Sequence, residues 1–392
     1  MSTRSPGLAV FAFLASVLAG VSLSAAQPVE YVRICDAFGA GFYYIPGTDT
    51  CLKVGGYARA EGHWVDGDPD PGEDFNNWTT RARGEIDLDA QTQTDFGLIR
   101  AFIALEITVG PGEATTSGID SDPNYGDDDN SPDLSSAFVQ LSNDWGTFTA
   151  GHSGSFFDFF GSHGYGTRVT IDDNTGEQTL FAWTFAPASV SGLSFTLSAE
   201  DPASGGRRLN DGDDYEGQEA PDGVGNIRLE QDWGVAQVMG VLRHINDISG
   251  DGLGFAAGAG VTVNLPGSWT FDAQGGYSEG AISYLTFDPG GVGDFEGPTG
   301  DDTNSAWMIR GGFTGPAGNN LTAWIDGSYT HAETQTAANV EYDFWAVQVG
   351  GAWEPAPGLT LGPEFAYTDL DFDAGGTDQS VFGLMWRVER SF

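Results

Sequence analysis

Five arginines and four carboxylates are the residues whose types and spacing suggest chemistry. Arg59, Arg81, Arg83 and Arg100, with Lys53, hold five of the fifteen cations of the chain in one stretch, and Arg387 lies near the carboxyl terminus. Asp158, Asp172, Asp173 and Glu177 stand in a segment that also carries Phe156, Phe157, Phe159 and Phe160. A row of guanidinium groups opposed by carboxylates makes a transverse field, which orients dipolar solutes and sets ion preference. Bond-making chemistry finds less support. The histidines, His63, His152, His163, His244 and His331, lack the spacing of a metal-binding helix. Gly151-His152-Ser153-Gly154-Ser155 ends in Ser155 where a nucleophile elbow needs glycine. Gly252-Leu253-Gly254 opens no dinucleotide fingerprint. No enzyme activity and no resident cofactor are expected.

Those residues need elements to position them, and the composition narrows the choice. The chain has 392 residues and a formal charge of −41. Nucleic acid is excluded as a partner, because phosphate backbones bind through neutralising cations. An aromatic content of 12% argues against disorder. The one long apolar run, Gly7 to Val21, follows Arg4 and leads into Ser24, Ala25 and Ala26. It is short for a helical span and has the parts of a secretory signal, so residues 1–26 are expected to be removed on export. In an oxidising compartment Cys35 and Cys51 are most simply a disulfide, worth about 3 kcal/mol by loop entropy; two unrelated thiols are the alternative. Residues 27–52 then form a small clipped segment ahead of the repeated elements of 53–392.

The repeated element is a strand. Ile99, Ala101, Ile103, Leu105, Ile107 and Val109 alternate with Arg100, Phe102, Ala104, Glu106 and Thr108. Ala82, Gly84, Ile86, Leu88 and Ala90 alternate with Arg81, Arg83, Glu85, Asp87 and Asp89. Period two over nine or more residues is a strand signal. Connections alternate in length. Short turns are expected at Asn143–Asp144, Asp232–Trp233, Pro266–Ser268, Pro316–Asn319 and Ala356–Gly358. Long polar connections are expected at Asp66–Asn77, Gly110–Asp133, His152–Gln178, Asp201–Asp222 and Ala281–Asp302. Sorting of loop length by side, with strands long enough to cross a bilayer at a tilt, describes an outer-membrane barrel and not a soluble sandwich. Trp145, Trp233, Trp269 and Trp353 near the short turns, and Trp64 and Trp78 around the first long loop, fit headgroup-level belts; core tryptophans beside ordinary turns are the alternative. About sixteen strands run to the terminal Phe392, making an all-β, antiparallel transmembrane barrel.

The charged face of these strands cannot look at lipid, where each Lys or Arg costs about 2–4 kcal/mol at the midplane. It must line an aqueous lumen, since a barrel of this size is too wide for side chains to fill. The expected function is passive diffusion of small hydrophilic solutes and ions. Arg59, Arg81, Arg83, Arg100 and Arg387 would form a basic wall, or simply pair with Glu85, Asp87 and Glu106 on the same face. The four phenylalanines suggest that the loop at 152–178 folds inward and carries Asp158, Asp172, Asp173 and Glu177 against that wall; a surface loop with an adhesive patch is the rival. Acidic clusters at Asp66, Asp68, Asp70, Glu73 and Asp74, at Asp127–Asp129, and at Asp211, Asp213, Asp214 and Glu216 favour cations. They are also places where Ca2+ or Mg2+ could bridge to outer-membrane lipid and lipopolysaccharide.

From Val32-Arg33-Ile34-Cys35-Asp36-Ala37-Phe38-Gly39-Ala40-Gly41-Phe42-Tyr43-Tyr44 to Cys51-Leu52-Lys53-Val54-Gly55-Gly56-Tyr57, the chain resembles the start of the alphaproteobacterial general porins. A looser resemblance covers the rest, including the Phe-rich third loop and Phe392. It implies a sixteen-stranded barrel in the bacterial outer membrane, a homotrimer, and a third loop narrowing the pore. By position it assigns Arg59, Arg81, Arg83 and Arg100 to the basic wall and Asp158, Asp172 and Asp173 to the acidic loop. The chain departs from the family in its acidity and its single lysine. Small outward residues, Gly56, Ala58, Ala60, Ala82 and Gly84, would let a second barrel approach closely. Two other functions fit less well: a substrate-specific channel for sugars or small metabolites, and a secreted calcium-dependent β-rich adhesin.

Overall fold

The structure is a computed structural model that describes residues 33–68, 77–110, 132–166, 169–204, 207, 217–247, 250–295, 303–334, 340–374 and 376–392. The expected signal at 1–26 lies outside the described residues, as do most of the acidic outer-loop clusters, Asp66 and Asp68 at the end of the first long strand excepted.

A short strand β1 (Tyr43–Tyr44) precedes sixteen long ones. These are β2 (Cys51–Asp68), β3 (Trp78–Thr94), β4 (Gly97–Val109), β5 (Pro132–Asn143), β6 (Gly146–Gly154), β7 (Glu177–Phe185), β8 (Leu193–Glu200) and β9 (Asp222–Gln231). Then follow β10 (Gly234–Asp247), β11 (Gly250–Leu265), β12 (Trp269–Glu279), β13 (Ser305–Gly318), β14 (Leu321–Glu333), β15 (Glu341–Ala356), β16 (Leu359–Ala374) and β17 (Gln379–Ser391). Every neighbour pair is antiparallel, and β17 returns to pair with β2 from Ser380 opposite Asp68 to Ser391 opposite Tyr57. The result is a closed sixteen-stranded barrel with no free edge. Closure satisfies the backbone N–H and C=O groups that lipid cannot.

Parity decides what each strand presents. Ile86, Ile103, Leu197, Ile309 and Val349 are exposed on the outside of the barrel. The alternate residues, such as Arg81, Gln237, Arg310 and Gln348, point inward and are buried. Aromatic residues mark two levels outside. Trp145, Trp233, Trp353 and Phe96 are exposed at the short-turn end. Trp64 meets Phe382, Trp78 meets Trp386, and Trp307 meets Tyr329 toward the long-loop end, with ring centroids 6.1, 4.9 and 5.2 Å apart.

The short turns follow local chemistry. Asn143-Asp144-Trp145-Gly146 and Gln231-Asp232-Trp233-Gly234 form the same turn, with Gly146 and Gly234 at φ 127° and 141°. A Cβ at either would run into the carbonyl oxygen of Thr184 or Thr262 on the next strand, so glycine is required. One turn sits later than its prolines suggest. Pro316 lies within β13 beside a register shift, and the reversal falls at Asn319–Asn320, where Asn320 takes a positive φ.

Cys35 and Cys51 are disulfide-bonded, with Cα atoms 6.1 Å apart. Both are fully buried beneath Phe38, Phe42 and Tyr44, a small core of their own at the short-turn end of the barrel.

Candidate functional site

The lumen-facing wall of β17, β2, β3 and β4 brings the expected arginines together by strand register. Arg387 lies opposite Glu61, which lies opposite Arg81. Glu61 receives both guanidinium groups, at 2.6 Å from Arg81 and 2.5 Å from Arg387. One rung away, Glu389 lies opposite Arg59 and Arg59 opposite Arg83. Arg59 pairs with Glu389 at 2.7 Å and Arg83 with Glu106 at 2.9 Å. Nearer the short-turn end, Arg100 binds both oxygens of Asp89 at 3.0 Å. Its guanidinium also lies over Phe102 and Phe138, whose rings stack at 5.4 Å. Every arginine of this wall therefore has a carboxylate at 3.0 Å or less. Of the partners, Glu106 was anticipated from parity, whereas Glu61, Asp89 and Glu389 were not, although each shares the parity of its arginine.

The loop at 155–176 folds into the lumen and crosses to the far strands. Its start is anchored where Ser155 donates to Glu200 at 2.7 Å and the Phe156 N–H donates to the same carboxylate at 3.0 Å. Phe157 is fully buried against Val224, Met239, Val241 and Ala256. Phe160, Val169 and Ile171 pack with Val65, Phe344, Leu370 and Val381. The four phenylalanines of the sequence thus fasten the loop to the inner wall, as apolar burial requires.

Polar contacts complete the tether. The His163 ring lies between two carboxylates, 2.6 Å from Asp326 and 3.0 Å from Asp272. Both ring nitrogens face acceptors, which suits the doubly protonated imidazolium. Burial alone would lower its pKa, but the hydrogen bonds and charges of Asp272 and Asp326 outweigh this and raise it to about 9. The Tyr165 N–H donates to Glu364 at 2.8 Å, and Arg387 donates to the Tyr165 carbonyl at 3.1 Å while lying over its ring. Burial pushes the Tyr165 hydroxyl up to about 12.

The loop carboxylates are spread apart. Asp158 pairs with Arg207 at 2.6 Å, and burial raises its pKa against the pull of that arginine. Asp172 is enclosed, accepting from the Thr330 hydroxyl and from the Phe287 N–H, and burial pushes it up to about 6. Asp173 is 3.7 Å from Arg310 and caps the Thr175 N–H at 2.9 Å. Glu177 opens β7 and is exposed. Among the described residues, the polar contact between loop and basic wall is made by Tyr165.

A second segment also enters the lumen. The 280–304 connection, expected outside, is described to 295 and again from 303. Ile282, Tyr284, Leu285 and Val292 in it are fully buried. Tyr284 packs edge-on against Phe157 at 5.2 Å. Arg243 holds the segment through Asp294 at 2.6 Å and binds Asp222 at 2.9 Å. The sequence carried a signal for this. Ala281-Ile282-Ser283-Tyr284-Leu285-Thr286-Phe287 is as apolar as the Phe-rich loop, but Glu279-Gly280 before it and Asp288-Pro289-Gly290 after it obscure it. Together the two loops bury the inner face of β9–β16, where Gln237, Gln274, Met308, Arg310, Gln348 and Glu364 are all closed off. The inner face of β3–β5 stays partly open.

Among the described residues, one group has metal-ligand proximity: ligand atoms of His331, Glu333 and Glu341 lie within 4.8 Å of one another on the outside of the barrel.

The chain matches the family model described as a porin subfamily over residues 22–383. It is similar to the porin Omp2b of Brucella suis biovar 1 (strain 1330), 29% identical over 388 residues that cover 93% of this chain and 91% of that protein. Among solved structures it is similar to the outer membrane channel DcaP of Acinetobacter baumannii, with TM-score 0.72, 16% identity, and coverage of 89% of this chain and 99% of that one. It is also similar to the trimer form of OmpT, an outer membrane protein of Vibrio cholerae, with TM-score 0.56, 12% identity, and coverage of 87% and 100%.

Proposed function

The chain belongs to the porin subfamily, and from that premise we propose how this outer-membrane porin works. Small hydrophilic solutes and ions diffuse through a crescent of water between the inward loops and the wall of Arg59, Arg81, Arg83, Arg100 and Arg387. The observation that carries this reading is the half-open inner face of β3–β5 beside the closed face of β9–β16. Asp173 and Glu177 contribute negative potential from the loop side, whereas Asp158 is paired with Arg207 and Asp172 is enclosed. The channel prefers cations weakly, because the arginines of the wall are paired and the chain as a whole carries −41. Single-channel conductance and the reversal potential in a salt gradient test this; a strongly anion-selective pore would contradict it.

The stacked Phe102 and Phe138 beneath Arg100 favour a second reading, a channel with a subsite for a sugar or small metabolite. Conductance that saturates with solute would support it, and conductance linear in salt would not. Residues 1–26 are read as a cleaved signal. The protomer is read as one of three, joined through the small outward residues Gly56, Ala58, Ala60, Ala82 and Gly84; the trimeric form of the Vibrio cholerae relative supports this. Native electrophoresis giving only monomers would count against it. Conduction of this kind needs no cofactor. Exchangeable Ca2+ or Mg2+ at the acidic outer loops, bridging to lipid phosphate or lipopolysaccharide, is proposed from their carboxylates alone.

A further inference from the structure

We propose that Glu85 and Asp87, two carboxylates of the arginine wall without an ion-pair partner, set the channel's preference for cations. The inference rests on the reading of the protein as a weakly cation-selective porin and names the residues responsible.

The wall holds six cations and six anions. Its cations are Lys53 and the five arginines, and its anions are Glu61, Glu85, Asp87, Asp89, Glu106 and Glu389. Strand register sorts them. Arg81 and Arg387 share Glu61, and all three are largely buried, with side-chain exposures of 1%, 11% and 1%. Arg59 is taken by Glu389, Arg83 by Glu106 and Arg100 by Asp89. Glu106 is further satisfied by the Tyr57 hydroxyl, which donates to it at 3.2 Å.

Glu85 is left directly opposite Glu106 on the same face. Asp87 lies two residues along, opposite Gly55, whose missing side chain leaves it uncovered. Among the described residues neither has an ion pair; Glu85 shares hydrogen bonds with Glu106 and with Asp87, so the three carboxyl groups form one acidic chain that holds a proton between its members, and Arg59 and Lys53 act on it at longer range. Both are partly exposed to the open side of the lumen. Like charges directly opposed across a sheet are unfavourable, so the fold does not gain from this placement. A passing cation does: between low-dielectric walls the negative charge that remains on this acidic chain attracts cations and repels anions, while a paired arginine exerts little field. With cations and anions equal in number on the wall, the acidic chain that faces the open water decides the sign of the field there.

The test uses the full-length protein in planar bilayers with a tenfold KCl gradient. Wild type should give a cation-favouring reversal potential. In the E85Q/D87N double variant the cation-to-anion permeability ratio should fall by about half or more, with D87N intermediate and E85D close to wild type. Heat-modifiable mobility on gels confirms that each barrel has folded, and D87N serves if the double variant does not. If wild type is cation-selective and E85Q/D87N matches it, while neutralising Asp127–Asp129 shifts the potential, the inference is overturned and the parent reading stands. If wild type favours anions, both fall.

Discussion

Glu61 and His163 are single side chains on which much of the lumen's order depends. Glu61 is buried between Arg81 and Arg387. Removing its charge leaves two cations close together without a counter-charge, a change that costs about 3–5 kcal/mol when a buried pair loses one partner. E61Q should therefore lower the thermal unfolding temperature in detergent, whereas E389Q, at a more exposed pair, should cost less. His163 gives a pH dependence. Its pKa is raised from 6.5 to about 9 in the folded protein. A raised histidine contributes stability that is complete below pH 6.5 and lost as the pH climbs through 9. Loop-related current noise should thus increase between pH 7 and pH 10 in wild type, and H163Q should flatten that change. The parity of Glu61 was visible beside Arg59, but a shared carboxylate between the first and last strands depends on closure of the sheet, which no local pattern encodes. His163 showed no metal spacing, and its partners come from β12 and β14, more than one hundred residues away.

At the scale of elements, strands were legible and inward loops only partly so. Alternation such as Ile99, Arg100, Ala101, Phe102 exists because lipid and water demand opposite side chains at successive positions, so the pattern is written locally. The Phe-rich loop declared itself because four rings in one acidic segment need an apolar surface. The 280–304 segment did not, since its apolar heptapeptide is short and the residues that hold it, Arg243 and Phe157, lie elsewhere in the chain. The two loops support one another. Y284A should remove the ring beneath Phe157 and cost about 3–5 kcal/mol, as large-to-small changes at buried aromatics do. Its conductance should be larger and noisier than wild type, because the 155–176 loop loses part of its seat. The disulfide has a more local reach. C35S/C51S should cost about 3 kcal/mol, expressed as proteolysis near residues 33–50 with the barrel left intact.

For the molecule as a whole, the proposed cation preference would come from weak, exposed charge and should fade with ionic strength. The Debye length shrinks from about 10 Å at 0.1 M to about 3 Å at 1 M salt. The permeability ratio should drift toward unity over that range while conductance keeps rising; a ratio independent of salt would point to a narrow binding site instead. Net charge was readable at once. Which half of the lumen stays open was not, because it follows from where two loops settle inside a closed sheet.

The meeting of β17 with β2 joins the carboxyl-terminal residues to the front of the chain, and the Phe392 N–H donates to the Gly56 carbonyl at 3.0 Å. Arg59–Glu389 and Arg387–Glu61 span that join on its watery side. A polypeptide lacking β17 would possess neither pairing, and would present two unsatisfied strand borders. Presence of β17 is thus a physical precondition for a lipid-compatible sheet, and copies without it should be left to proteases.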